Sequence, residues 1–175
     1  DEGCNLIWGI GYSMSDSLDA AARNNPDVNY AIADNSYGDN TADNVTGVMF
    51  DAQESAFLVG YIAGKTTKTN AIGFVGGIKS AVIDQFEYGY RAGVSYAAKE
   101  LSKNIEVKVQ YVESFSDPSK GKATAKKMFD SGVDIVFHAS GGAGTGVIEA
   151  AKDSGKFAIG VYRDQSYLAP DNVLT

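Results

Sequence analysis

Short apolar runs alternate along this chain with longer segments whose apolar residues recur at helical spacing. The runs are Leu6–Trp8, Tyr30–Ala33, Ile72–Val75, Ile135–Phe137 and Phe157–Val161, with an alternating Val107–Val112 between the third and fourth. Runs that are apolar on both faces predict buried parallel strands, because helices then cover both sides of the sheet. Helix starts are predicted at Ser13 or Ser15, at Asp51-Ala-Gln-Glu54, near Ala81, at Asp117-Pro118 and near Thr145. Ser, Asp and Pro at such positions satisfy or dispense with the first N–H groups of a helix. Asn25-Pro26, Gly132 and Gly155 supply stops. In the second helix Phe57, Tyr61 and Gly64 form the expected buried stripe, and Gly60 with Gly64 would let a neighbouring backbone come close. In the third, Phe86, Tyr90, Gly93, Val94 and Ala97 should face the core. Regular strand–helix alternation means right-handed crossovers and an α/β fold with largely parallel, doubly wound sheet.

One region breaks the alternation. Asn44–Phe50 reads as an extra strand with no helix before it, and Lys65–Asn70 as a polar connector. A crossing between domains is expected there and a second near Tyr162. In doubly wound folds ligands bind just outside the carboxyl ends of the strands. The corners to inspect are therefore Gly11-Tyr12-Ser13, Asp34-Asn35-Ser36, Gly76-Gly77, Ser114-Phe115, His138 to Gly146, and Tyr162-Arg163-Asp164.

Charge and cysteine content exclude several classes. The 175 residues carry a net charge of −7, which argues against nucleic acid as a partner. A lone cysteine, Cys4, excludes an internal disulfide and a thiolate metal cluster. Asp1-Glu2-Gly3 lacks the small and apolar residues of a lipoprotein cleavage site, so Cys4 is expected to be a buried thiol at a strand edge. No run approaches the roughly 18 apolar residues of a membrane span, and no signal peptide is visible. The chain opens on Asp1 and enters a strand almost at once, as an excerpt without its natural start would.

Catalytic motifs are incomplete. Gly9-Ile-Gly11-Tyr-Ser-Met14, with Asp34 ending the next strand, has Met14 where a dinucleotide fingerprint needs its third glycine. Gly76-Gly77-Ile-Lys79-Ser80 has no glycine directly before its lysine and cannot wrap a phosphate in the usual way. The single histidine, His138, and the missing G-x-S-x-G elbow leave a Ser-His-Asp hydrolase without its parts. One histidine also disfavours a catalytic metal, although Asp34 and Asp164 are carboxylates that could in principle hold a hard cation. The glycines from His138 to Gly146 either form a tight turn or leave backbone N–H groups for a polar ligand at a helix N-terminus. His138 itself reads equally as a core histidine or a ligand contact. No enzyme, cofactor or metal is expected.

Eight segments follow one another in a recognisable order. They are Asn5–Tyr12, Pro26–Asp34, Gln53–Gly60, Ile72–Gly77, Phe86–Gly93, Ser114–Asp117, the Gly141–Gly146 loop and Gly160-Val-Tyr-Arg-Asp-Gln165. Together they resemble the basic membrane protein, or PnrA-like, family, the substrate-binding lipoproteins of nucleoside ABC importers. The similarity spans essentially the whole chain. It implies a type I periplasmic-binding-protein fold, two doubly wound lobes joined by a hinge, with a nucleoside, a purine one by preference, held in the cleft. On that pattern residues 1–69 would belong to the first lobe, 70–160 to the second, and 161–175 to the hinge and the return to the first. Family members are about twice as long. The chain would lack their opening strand and helix, with an aromatic that stacks on the base, and a ligand-binding lysine beyond Thr175.

The resemblance also assigns site residues. Asp34 falls on the family's aspartate at the end of the second strand, with Gly11 and Tyr12 on the same wall. From the second lobe, His138, Ser140, Gly141 and Gly142 should face the cleft, with Phe115 at its edge. The family has Gly-Val-Asp before the Asp-Gln pair, its first Asp a ribose-hydroxyl ligand; here Tyr162 stands at that position and Asp164 follows. A phenol cannot accept a bidentate pair from two sugar hydroxyls as a carboxylate does. The implied partners are a small nucleoside-like ligand and a membrane permease, and the implied state is a monomeric, extracytoplasmic, membrane-anchored lipoprotein. A ligand-sensing domain of the same fold in a signalling or regulatory protein is the alternative.

Overall fold

Parallel pairing accounts for all seven strands among the residues described, 3–175 of the computed structural model, in two separate sheets. The chain divides into two units, one ending at Asp51 and the other running Ala52–Thr175.

In the first unit β1 (Leu6–Ile10), β2 (Asn29–Ala33) and β3 (Val45–Val48) lie in that order, with α1 (Ser15–Asn24) between the first two in sequence. Its core is Leu18, Ala22, Tyr30, Ile32 and Val45. β1 is the edge of its sheet, so Leu6, Ile7, Trp8 and Ile10 stay exposed where buried strand residues were expected. The same edge leaves Cys4 exposed, not buried. Neither expected serine caps α1; the Ser15 hydroxyl instead donates back to the Tyr12 carbonyl.

The second unit orders its sheet β5 (Glu106–Tyr111), β4 (Ala71–Gly76), β6 (Ile135–Ala139), β7 (Phe157–Ile159). α2 (Ala52–Thr66) and α3 (Ala81–Glu100) cover one face, packed on Ile72, Phe74, Ile135, Phe137 and Ile159. α4 (Pro118–Asp130) and α5 (Gly144–Ser154) cover the other, on Val75, Val136 and Ala158. Consecutive residues Phe74 and Val75 thus feed opposite cores, which is why the run is apolar throughout. α4 starts as expected, with Asp117 accepting the Lys120 N–H at 3.1 Å and Pro118 at the first turn. α5 stops at Gly155 in the left-handed conformation, φ 59°.

The division falls before α2, not after it as the polar connector suggested. A β-carbon at Gly60 would strike the Tyr90 carbonyl and one at Gly93 the Phe57 carbonyl, so α2 and α3 are in backbone contact. The deeply buried stripe of α2 is accordingly Ala56, Gly60, Ala63 and Gly64, with Phe57 and Tyr61 at its rim. Residues 67–69 are tied to the same unit: buried Asp134 accepts the Thr67 hydroxyl at 2.7 Å and the Lys68 and Thr69 N–H groups at 2.6 and 3.1 Å. The tail stays there too. Ala158 exchanges backbone hydrogen bonds with Asn172 and Leu174 at 2.8 and 2.9 Å, and Gly160 donates to the Thr175 carbonyl at 2.8 Å. Residues 172–175 therefore lie along the edge of the second sheet beside β7.

Candidate functional site

The second sheet runs from β4 outward to β5 and then back across β4 to β6, so the loops after β4 and β6 leave in opposite directions. That is a topological switch point, where an open α/β sheet leaves a crevice at its carboxyl ends. Gly77 N donates to the Ala139 carbonyl and Glu113 N to the Gly77 carbonyl, both at 3.0 Å, holding the three strand ends in line. Phe115, in the loop after β5, crosses this point. Its ring lies where a side chain on Gly77 would be, and its carbonyl accepts the Ala143 N–H at 3.2 Å. Gly141 adopts φ 55°, and a β-carbon there would sit 3.1 Å from the Phe115 carbonyl. Gly141 and Gly142 are exposed at the tip, and Phe115 is half-buried.

Lys79 is not held out for a phosphate. Its ammonium pairs with Asp84 at 2.8 Å and lies 5.1 Å over the Tyr111 ring. The Tyr111 hydroxyl donates to Glu87 at 2.6 Å; burial and then that carboxylate raise its pKa, so it stays a neutral donor. These contacts brace the β4–α3 loop.

His138 and Ser140 do not line the opening, contrary to expectation. Both side chains point into the core from β6 and its end, each with no exposed surface. His138 Nε2 lies 3.0 Å from Gln165 Oε1, and the same oxygen accepts the Val161 N–H at 2.9 Å. That second bond identifies the atom as oxygen, so Nε2 carries a proton and donates to it. Burial lowers the His138 pKa to about 4, with the Gln165 bond opposing it. The ring lies beneath Gly144, where any side chain would collide with it.

Tyr162 and Asp164 follow the end of β7. Tyr162 is 73% exposed, with its ring edge-on to Phe86 at 5.9 Å. Asp164 is exposed and accepts the Ser166 N–H at 2.8 Å, a bond that lowers its pKa and starts the Ser166–Leu168 turn. A depression of about 350 Å³ opens here among Val59, Tyr162, Asp164 and Thr175. A larger groove of about 640 Å³, lined by Phe57, Leu58, Tyr88 and Ala92, runs along α2 and α3. Its surface is mostly apolar, with Gln53 and Glu54 also in its lining.

In the first unit Gly11 and Asp34 directly follow the paired residues Ile10 and Ala33, which sets them side by side. Gly11 N donates to the Ala33 carbonyl at 3.2 Å and Asp34 N to the Val48 carbonyl at 2.9 Å. Asp34 takes φ 63°, a conformation aspartate tolerates better than most residues, and Gly11 takes φ 95°. Partial burial raises the Asp34 pKa. Tyr12 is exposed at the start of the turn into α1.

Ten residues were singled out from the sequence; Gly11, Tyr12 and Asp34 meet at one sheet end, and Phe115, Gly141 and Gly142 at another. Sequence reasoning named the Gly76-Gly77 corner but not the seating of Phe115 on the bare surface of Gly77, and it gave no role to Gln165, whose buried oxygen joins two loops. Gln165 belongs to the Gly160–Gln165 segment, but its bond spans 27 residues and leaves no local signature. Among the described residues no group of three or more His, Cys, Asp or Glu is placed to hold a metal, and no helix is long and apolar enough to cross a membrane.

The profile of the family described as ABC transporter substrate-binding protein PnrA-like matches residues 1–175. Basic membrane protein A of Borreliella burgdorferi is 49% identical over 178 residues, covering 100% of this chain and 51% of that protein. Basic membrane protein D of the same species is 49% identical over 177 residues, 99% of this chain and 51% of its own. Among solved structures, an ABC transporter solute-binding protein from Aeropyrum pernix K1 superposes with TM-score 0.88 at 29% identity, covering 97% of this chain and 49% of that one. A transcriptional activator of the comK gene from Bacillus halodurans gives TM-score 0.74 at 25% identity, over 95% and 55%. The chain spans about half the length of the curated relatives it matches.

Proposed function

The chain belongs to the PnrA-like family of ABC transporter substrate-binding proteins, with the type I periplasmic-binding-protein fold, and from that premise we propose that it binds a purine nucleoside for import. The observation that carries the reading is the family match along the whole chain, joined to the position of the candidate residues at strand carboxyl ends in both units. A nucleoside is neutral, flat and polar-edged. It calls for an aromatic face for the base and fixed hydrogen-bonding groups for the sugar and base edges. Phe115, held against Gly77, supplies the face; Asp34 supplies an acceptor; the Gly141–Gly142 tip lets backbone approach closely. Tyr162 offers one hydroxyl to the sugar in place of a carboxylate.

Ligand binding selects a closed form of the intact protein, and that form is what a membrane permease recognises. No bond of the ligand is made or broken. The protein works outside the cytoplasm, anchored at the membrane, as a monomer. Mass spectrometry of small molecules retained by the intact protein tests this: a purine nucleoside is expected, and a bound nucleotide cofactor or a modified product would overturn it. The likeness to a transcriptional activator favours one second reading, a ligand sensor built on the same fold. A signalling or DNA-binding segment on the intact polypeptide would select it.

A further inference from the structure

Tyr162 holds a backbone conformation that bulky side chains rarely adopt, φ 65°. Arg163 N donates to the Val161 carbonyl at 2.8 Å, which makes Tyr162 the centre of a three-residue γ-turn. With positive φ at its centre this is the rarer, strained form. Such a conformation persists only where its surroundings over-determine it, and such residues cluster at ligand clamps.

The constraint lies directly beneath. Gln165, 6% exposed, aims Oε1 at the Val161 N–H and at the His138 Nε2–H, at 2.9 and 3.0 Å. Gly160 makes room for that oxygen, since a β-carbon there would come within 2.7 Å of it. On the far side Asp164 fixes the chain through the Ser166 N–H. Above, the Tyr162 ring stands perpendicular to Phe86, and Phe86 packs 6.3 Å from Phe137, the residue before His138 on β6. The turn is therefore pinned to β6 by a buried polar relay and by an aromatic stack.

We propose that His138 and Gln165 are positioning residues whose buried relay holds Tyr162 in its strained turn at the mouth of the site. The relay gives Nε2 of a histidine with no exposed surface its hydrogen-bond partner. It joins the end of β7 to the strand that carries the Gly141–Gly142 tip, so both walls of the opening share one buried anchor. Tyr162 then meets the ligand as a preset surface. Only that last consequence rests on the nucleoside reading; the relay itself does not.

The test uses the intact protein, amide hydrogen exchange, and guanosine as the probe. Gln165→Met keeps volume and removes the acceptor. Exchange at the Val161 and Arg163 amides should rise by about tenfold or more, and guanosine affinity should fall about tenfold. Gln165→Glu, which restores an oxygen at that point, should recover protection. In a Tyr162→Gly background, where glycine adopts positive φ unaided, Gln165→Met should cost no further affinity. Unchanged exchange at Arg163 in Gln165→Met would overturn the proposal. So would an equal loss of affinity in both backgrounds, the mark of a general packing role. If the unmodified protein retains no guanosine or other purine nucleoside, the nucleoside reading fails, and the exchange measurements still decide the relay.

Discussion

The Phe115 ring lies against the bare α-carbon of Gly77, in the space a side chain there would fill. The contact joins the loops after β5 and β4 and sets the ring at the switch point of the second sheet. Because the ring is only half-buried, its outer part remains for a ligand. Phe115→Ala should weaken purine nucleoside binding by about 1–3 kcal/mol, the worth of one base–aromatic stack. Gly77→Ala should weaken it as well by displacing the ring, while the melting temperature changes less than for a core cavity. Calorimetry checks both, and full affinity in Phe115→Ala would remove the ring from the site.

Asp34 stands at a strand end with a left-handed backbone, and partial burial raises its pKa. Asp34→Ala should cost about 1–3 kcal/mol of nucleoside affinity by stranding a partner in a closed site. Asp34→Asn should lose less, because its carbonyl still accepts. Affinity unchanged from the unmodified protein in both variants would exclude Asp34.

Tyr162→Asp tests the sugar contact. A carboxylate accepts both hydroxyls of a ribose and tolerates the positive φ of this position better than a phenol-bearing side chain. Tighter binding of ribonucleosides, with little change for 2′-deoxynucleosides, is expected. Equal or weaker ribonucleoside binding would show that residue 162 does not face the sugar.

Acid should destabilise the fold through one histidine. His138 is neutral when folded, its pKa pushed down to about 4 by burial, whereas an unfolded imidazole titrates near 6.5. Between those values the unfolded chain binds more protons, so stability rises with pH there. The contribution is fully present above about pH 6.5 and is lost as pH falls toward about 4, by up to ~3 kcal/mol. Denaturant titrations of the intact protein across that window should show the slope, and His138→Gln should flatten it. An identical slope in the variant would place the acid sensitivity elsewhere.

Much of the architecture was legible because the two central strands of the second sheet, β4 and β6, are buried on both faces. Ile72–Val75 and Ile135–Phe137 have nothing polar to show on either side. Asp117-Pro118 and Gly155 were equally readable, since a helix start and a left-handed stop depend on local backbone chemistry. Tertiary contacts hid the rest. Lys65–Asn70 looks like a linker, but Asp134, 65 residues beyond Thr69, accepts three of its hydrogen bonds. Ser13 and Ser15 are good capping residues, yet the 3-10 turn from Tyr12 draws the Ser15 hydroxyl backward. His138 sits in a glycine-rich stretch that suggests an open loop, and only the packing of Gly144 over its ring shows it to be core.

The central claim is that this chain forms part of a clamp for a purine nucleoside, released unaltered. Isothermal calorimetry of the intact protein with guanosine, inosine and adenosine, followed by recovery of the ligand, tests it most directly. Saturable one-to-one binding with unchanged ligand is the expected result, abolished or weakened at least several-fold by Asp34→Ala and Phe115→Ala together. Absence of heat with every nucleoside, or binding indifferent to both substitutions, would contradict it.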